Sequence, residues 1–214
     1  MIMKVDLFFC GDSNTFGAEL EGQEDDHKKR VAQRYSTLVS EELGKTHHNI
    51  SQSGSCNDWI VKNVVEWFEA GNTCDTAIIQ FSAAIRWGFY DKDGKYENMG
   101  NNKPMLASSE TTEAHSIYNE KIWSEQLELD NYWKNMFFLR NYLKDKCKVV
   151  WMTLSRIPKR ETNLWSKLCK DIEIGEQKYM VGDNKCPKIL GVLPGTHPNE
   201  IGHQNIAKWI LENL

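Results

Sequence analysis

Apolar residues in this chain fall either into short continuous runs or into longer stretches where they recur every three or four positions. Lys4 to Phe9 is a short, largely apolar run that ends at a turn, which predicts a fully buried strand. Val31, Tyr35, Leu38, Val39 and Leu43 then recur at helical spacing, with Gly44 as the stop signal. His47 to Ser51 predicts a weak second strand leading into Gln52-Ser53-Gly54-Ser55. Asn57 or Asp58 is expected to cap the next helix, whose inner face is Ile60, Val64, Trp67 and Phe68. Thr76 to Phe81 forms the third strand, Leu129, Trp133, Met136 and Leu143 mark a long helix, and Lys148 to Leu154 is the fourth strand. Ile206, Trp209, Ile210 and Leu214 place a last helix at the C-terminal end.

Strands that alternate with helices, each strand apolar on both faces, predict an α/β protein with a mostly parallel sheet covered on both sides. Ligands in such sheets bind beyond the carboxyl ends of the strands, where Ser13, Gly54 and Ser82 all fall. Two segments interrupt the alternation. Residues 86–121 carry Asp93-Gly94, a hairpin turn signal, and residues 155–187 are polar with one short helix expected around Leu164 to Lys170. Both read as insertions in a single domain spanning 1–214, and long segments of this kind often form lids or binding loops.

A net charge of −4 and an isoelectric point near 5.9 leave no overall basic field for nucleic acid, so no nucleic-acid partner is expected. The six cysteines are widely spaced without a CxxC pair, and those at or beside strands read as small buried hydrophobes. No apolar run is long enough to span a membrane, and the N-terminus enters a strand without a signal-peptide core. A reduced, cytoplasmic setting is the expectation. No metal or cofactor is expected either. Asp91-Lys92-Asp93-Gly94 begins like a calcium loop, but its glycine comes at the fourth position rather than the sixth, so a hairpin turn is the preferred reading. Trp87, Phe89 and Tyr90 either offer a stacking face for a sugar or acyl chain or pack the insertion.

The chemistry centres on Cys10-Gly11-Asp12-Ser13-Asn14-Thr15-Phe16-Gly17, a glycine-bracketed turn at the end of the first strand. A serine hydroxyl there becomes a nucleophile only when a base removes its proton, and histidine is the usual base near neutral pH. Six histidines are present. His203 falls on the last helix and reads as structural. His197 stands in the loop Pro194-Gly195-Thr196-His197-Pro198-Asn199, held by flanking prolines and suited to meeting a distant group.

These motifs resemble those of the SGNH (GDSL-type) hydrolases. Gly11-Asp12-Ser13-Asn14 is similar to block I, Gly54 to the block II glycine, and His197-Pro198-Asn199 to block V. The resemblance spans nearly the whole chain in the family's order. It implies a three-layer α/β/α, flavodoxin-like fold and an acyl-ester hydrolase that needs no cofactor. By resemblance Ser13 is the nucleophile, His197 the general base, and the backbone N–H groups of Ser13 and Gly54 oxyanion donors. Asp12 and Asn14 would support the turn rather than react. The implied substrate is an ester, acetyl among the possibilities, of a carbohydrate or small molecule.

Two positions depart from the family pattern. Pro194 stands where the family has the aspartate that orients the histidine, a carboxylate worth roughly 10⁴-fold in serine proteases. Asp183 and Glu200 are candidates for the missing acid, or the pair works as a dyad. Block III lacks its asparagine in Gln80-Phe81-Ser82-Ala83-Ala84-Ile85-Arg86, and an oxyanion donor of that kind contributes about 2.7–4 kcal/mol. Ser82, Gln80, Arg86 and Asn57 are the candidate substitutes; Asn57 reads equally as a helix cap and Arg86 as the partner of an acid. The two departures leave a catalytically silent SGNH-like binding or structural protein as the alternative. A nucleotide-binding or receiver domain fits less well, lacking a phosphate loop or clustered acids.

Overall fold

A computed structural model describes residues 2–18, 20, 27–99, 113, 116–153, 164–172, 174–176 and 197–214. Strand β1 (Lys4–Cys10) joins a five-stranded parallel sheet with β2 (His47–Asn49), β3 (Thr73–Phe81), β6 (Lys148–Thr153) and β7 (Ile174–Glu176). The strand order is β2-β1-β3-β6-β7. Phe8 pairs with His48 on one side and Ala77 on the other, and Ile79 pairs with Trp151. A separate antiparallel hairpin, β4 (Trp87–Tyr90) and β5 (Tyr96–Met99), turns through Asp93-Gly94 as its sequence predicts.

Side chains of a strand alternate between faces, so each strand feeds two cores. Phe8, Cys10, Ala77, Ile79 and Phe81 pack under α4 (Asn57–Glu69) and α5 (Glu125–Leu143), against Ile60, Val64, Trp133 and Met136. Leu7, Phe9, Ile78, Val150 and Met152 pack on the other face. Their partners are Tyr35 and Val39 of α3 (Tyr35–Leu43) and Ile206, Ala207 and Ile210 of α7 (Glu200–Asn213). This is a three-layer α/β/α architecture. No helix among the described residues is long and apolar enough to cross a membrane.

Two local expectations are corrected, and two segments take definite form. The period running from Val31 to Leu43 is not one helix: α2 (His27–Gln33) ends at Arg34, whose extended backbone (ψ 144°) starts α3 afresh. Neither Asn57 nor Asp58 caps α4; the N-cap is Cys56, without a side-chain bond. Asn57 is drawn instead to the backbone of Ser82, and Asp58 accepts from Asn131 and Asn135 of α5. The insertion expected over 155–187 supplies β7, an edge strand that pairs Trp151 with Ile174. Its short helix is α6 (Leu164–Leu168). The aromatic residues of the hairpin pack together: Trp87 stacks on Tyr118 at 3.8 Å and on Phe89 at 5.5 Å, while Tyr90 stays exposed against Tyr96.

Candidate active site

From β1 the chain goes out to β2 on one side and crosses to β3 on the other, so the carboxyl end of β1 is a topological switch point. The turn that carries Ser13 leaves β1 there. Asp12 is the N-cap of the single-turn helix α1 (Ser13–Phe16), and its Oδ1 accepts from the backbone N–H of Asn14 at 2.9 Å. Gly17 closes the turn at φ +85°. Gly11 is required by a close approach: a Cβ there would lie 2.2 Å from Thr15 Oγ1 and 2.9 Å from Gln80 Cβ.

Asp12 is a buried carboxylate in a cradle of donors. Oδ1 accepts from Asn14 N, Asn14 Nδ2 at 2.8 Å and Gln80 Nε2 at 2.9 Å. Oδ2 accepts from Ser82 Oγ at 3.0 Å and faces Arg86 Nη1 at 3.3 Å. Buried charges persist only when paired and hydrogen-bonded, and this one is both. Behind it runs a directional chain of hydroxyls. Thr15 Oγ1 donates to Gln80 Oε1 at 2.5 Å, so Tyr35 OH, also 2.5 Å away, must donate to Thr15. Thr15 and Tyr35 escape sequence reasoning. The available signal is a hydroxyl on each of two buried positions, since a buried Tyr O–H usually finds a partner.

The loop after β2 lies against the same turn. Ser55 Oγ is 3.0 Å from the carbonyls of Gly11 and Gln52, and Gln52 N donates to Gly11 O at 3.4 Å. Gly54 within this loop has φ +80°, a left-handed conformation that glycine adopts without strain. Just before α7, His197 lies beside this turn, with Nε2 at 2.9 Å from Ser13 Oγ. Asn199 anchors that loop as the N-cap of α7, accepting from Gly202 N at 3.1 Å. The sequence separates Ser13 from His197; the fold puts them within hydrogen-bond reach.

The remaining candidates take definite places. Gln80 and Ser82 give their polar hydrogens to Asp12. Asn57 grips Ser82 by both ends of its amide, at 2.8 Å and 3.2 Å. Arg86 pairs with an acid, Asp12, as one of its two readings anticipates. Glu200 is half exposed and faces Lys29 at 3.6 Å. Asp183 and Pro194 lie outside the described residues. His203 is fully buried on α7, where burial, then the charges of His197 and Arg34, push its imidazole down to about 3. Cys10, the residue before the turn, is buried and its thiol pushed up by desolvation, so it packs. Among the described residues, no cluster of His, Cys, Asp and Glu could hold a metal ion.

No family model matches the chain, and no curated protein matches it. Solved structures do. An acetylxylan esterase from Geobacillus stearothermophilus is similar, with a TM-score of 0.57, 16% identity and coverage of 97% of this chain and 93% of that one. A member of the lipolytic protein G-D-S-L family from Veillonella parvula has a TM-score of 0.52 at 12% identity, covering 98% and 97% of the two chains. A carbohydrate esterase family 2 enzyme plus carbohydrate binding domain from Corynascus thermopiles has a TM-score of 0.56 at 11% identity. There 99% of this chain matches 65% of the longer one. At these identities the likeness is one of fold, and the chain has the α/β/α fold that these esterases and lipolytic proteins share.

Proposed function

We propose that this protein is a serine ester hydrolase of the SGNH type that removes an acyl group from a carbohydrate or small-molecule ester. The observation that carries the reading is the 2.9 Å contact between Ser13 Oγ and His197 Nε2. Neutral His197 accepts the Ser13 proton at Nε2 as Oγ attacks the ester carbonyl carbon. The carbonyl oxygen becomes an oxyanion, which accepts from the backbone N–H groups of Ser13 and Gly54. As the C–O bond to the alcohol breaks, His197 returns its proton to the leaving oxygen. Water then attacks the acyl-serine with His197 again as base, releasing the carboxylic acid and free Ser13.

Ser13 begins a helical turn, where the first N–H groups have no intrahelical acceptor, so its amide suits an oxyanion donor. Asp12 holds the turn and takes no part in proton transfer. An acetyl group on a sugar is the favoured acyl substrate, supported by the likeness in fold to an acetylxylan esterase.

The test is labelling by a fluorophosphonate, which phosphonylates an activated serine. Wild type is expected to take one label per chain, and Ser13→Ala none. His197→Ala should label at a rate lower by roughly 10³-fold or more, as for other serine–histidine pairs. Absence of label and of short-chain aryl ester cleavage in wild type would sink the enzyme reading and leave a binding protein of the same fold.

A further inference from the structure

We propose that Arg86 is a positioning residue: a strut that fixes the spacing between the two backbone N–H groups, of Ser13 and Gly54, that hold the oxyanion. The inference rests on the esterase reading of the site. One guanidinium nitrogen, Nη1, lies 3.3 Å from Asp12 Oδ2 and 3.4 Å from the carbonyl oxygen of Ser55. Asp12 immediately precedes Ser13, and Ser55 immediately follows Gly54. Nη1 carries two hydrogens and so serves both acceptors at once. A single atom thereby spans the nucleophile turn and the glycine loop, each at the residue next to its oxyanion donor.

The base of the strut is itself held. Arg86 leads directly into β4, and the hairpin is pinned to the start of α4. Cys56 N donates to Asn98 Oδ1 at 3.0 Å, and Tyr96 OH lies 3.4 Å from Cys56 Sγ. Charge makes the contact hard to replace. The Asp12 side chain is 3% exposed, and its donors from Asn14, Gln80 and Ser82 are neutral. Arg86 supplies the cation that a buried carboxylate needs. The ties from Gln52 and Ser55 grip Gly11, one residue before Asp12, and Asn49 Nδ2 holds the carbonyl of Thr15, beyond Ser13. Without Arg86 the oxyanion donors keep their identity and lose their spacing. Misplacement by 1 Å of a catalytic group costs about 100-fold.

The absence of the block III asparagine gains a physical reading from this geometry. Arg86 contributes to the oxyanion through the backbone of its neighbours rather than through its own N–H groups. Arg86→Gln is therefore expected to lower kcat on a short-chain aryl ester by roughly 10- to 100-fold with KM held within about twofold. Inhibition by a boronic acid, which forms a tetrahedral adduct on the serine, should weaken in parallel with kcat. Arg86→Lys should recover part of both. In an Asp12→Asn background no buried charge needs a partner, so Arg86→Gln should there cost less than about threefold.

An equal cost in both backgrounds, or a raised KM at unchanged kcat, would mean that Arg86 touches substrate and would overturn the proposal. Hydrogen exchange provides a reading independent of turnover. Arg86→Gln should speed exchange in peptides covering 11–17 and 52–56 while leaving β3 and β6 protected. No change in either loop overturns the strut. If wild type cleaves no ester and takes no fluorophosphonate, the esterase reading fails on its own, and exchange alone then decides whether Arg86 ties the two loops.

Discussion

The backbone N–H of Tyr35 donates to Nδ1 of His203 across 3.1 Å, so a side chain of α7 satisfies an open donor in the first turn of α3. Their rings also stack, at 5.6 Å between centroids. Nδ1 can accept only while it lacks a proton, and burial pushes the imidazole down to about 3. An unfolded chain binds that proton near the ordinary histidine value of about 6.5. The contribution to stability is therefore fully present above about 6.5 and drains away as pH falls toward 3. His203→Asn keeps an acceptor and cannot titrate. Thermal midpoints at pH 7.5 and pH 4.5 should fall further in wild type than in His203→Asn. Parallel falls would contradict the argument.

Gly11 faces Thr15 and Gln80 with no room for a methyl group. Gly11→Ala should cost about 1–3 kcal/mol in a urea titration, because the clash lies against packed side chains rather than solvent. Ester cleavage should fall more than stability does, since Ser13 rides on the displaced turn. A variant as stable and active as wild type would show that the turn can move aside.

Thr15 is both acceptor from Tyr35 OH and donor to Gln80. Thr15→Val keeps the shape and strands two buried polar atoms, each costing about 1–3 kcal/mol. Thr15→Ser keeps the hydroxyl and should lose less than about 1 kcal/mol. Chemical denaturation of the two variants side by side separates the hydrogen-bond chain from simple packing.

Trp133 and Phe138 share α5 and differ in exposure, 0% against 51%. Trp133→Ala should cost about 3–5 kcal/mol by opening a cavity under β3 and β6. Phe138→Ala should stay within about 0.5 kcal/mol of wild type, as surface changes do. Equal losses in denaturant midpoint would place the core elsewhere.

Much of this architecture is legible in the sequence because the carboxyl-terminal halves of β1, β3 and β6 are buried on both faces and mostly apolar. Ile174-Gly175-Glu176 carries no such signal, and β7 escapes notice as a three-residue edge strand. The spacing from Val31 to Leu43 runs on through Arg34, and periodicity alone does not register the one extended residue between α2 and α3. Ser13 and His197 stand out as residues whose types carry chemistry in loops. The donors around Asp12 do not, because Gln80, Ser82 and Arg86 each have an ordinary polar reading until the fold points them at one carboxylate. Asn57 shows the reverse error: its local preference is a cap, and a partner 25 residues away wins its amide.

The separation of 184 positions from Ser13 to His197 has a consequence for synthesis. β1 and its serine turn leave the ribosome well before the histidine that meets them. Contacts so distant in sequence form only after the intervening chain has collapsed and α7 has docked on α3. Until that docking, Ser13 has no histidine beside it. On the proposed esterase reading, the serine gains its base only when α7 packs on the sheet.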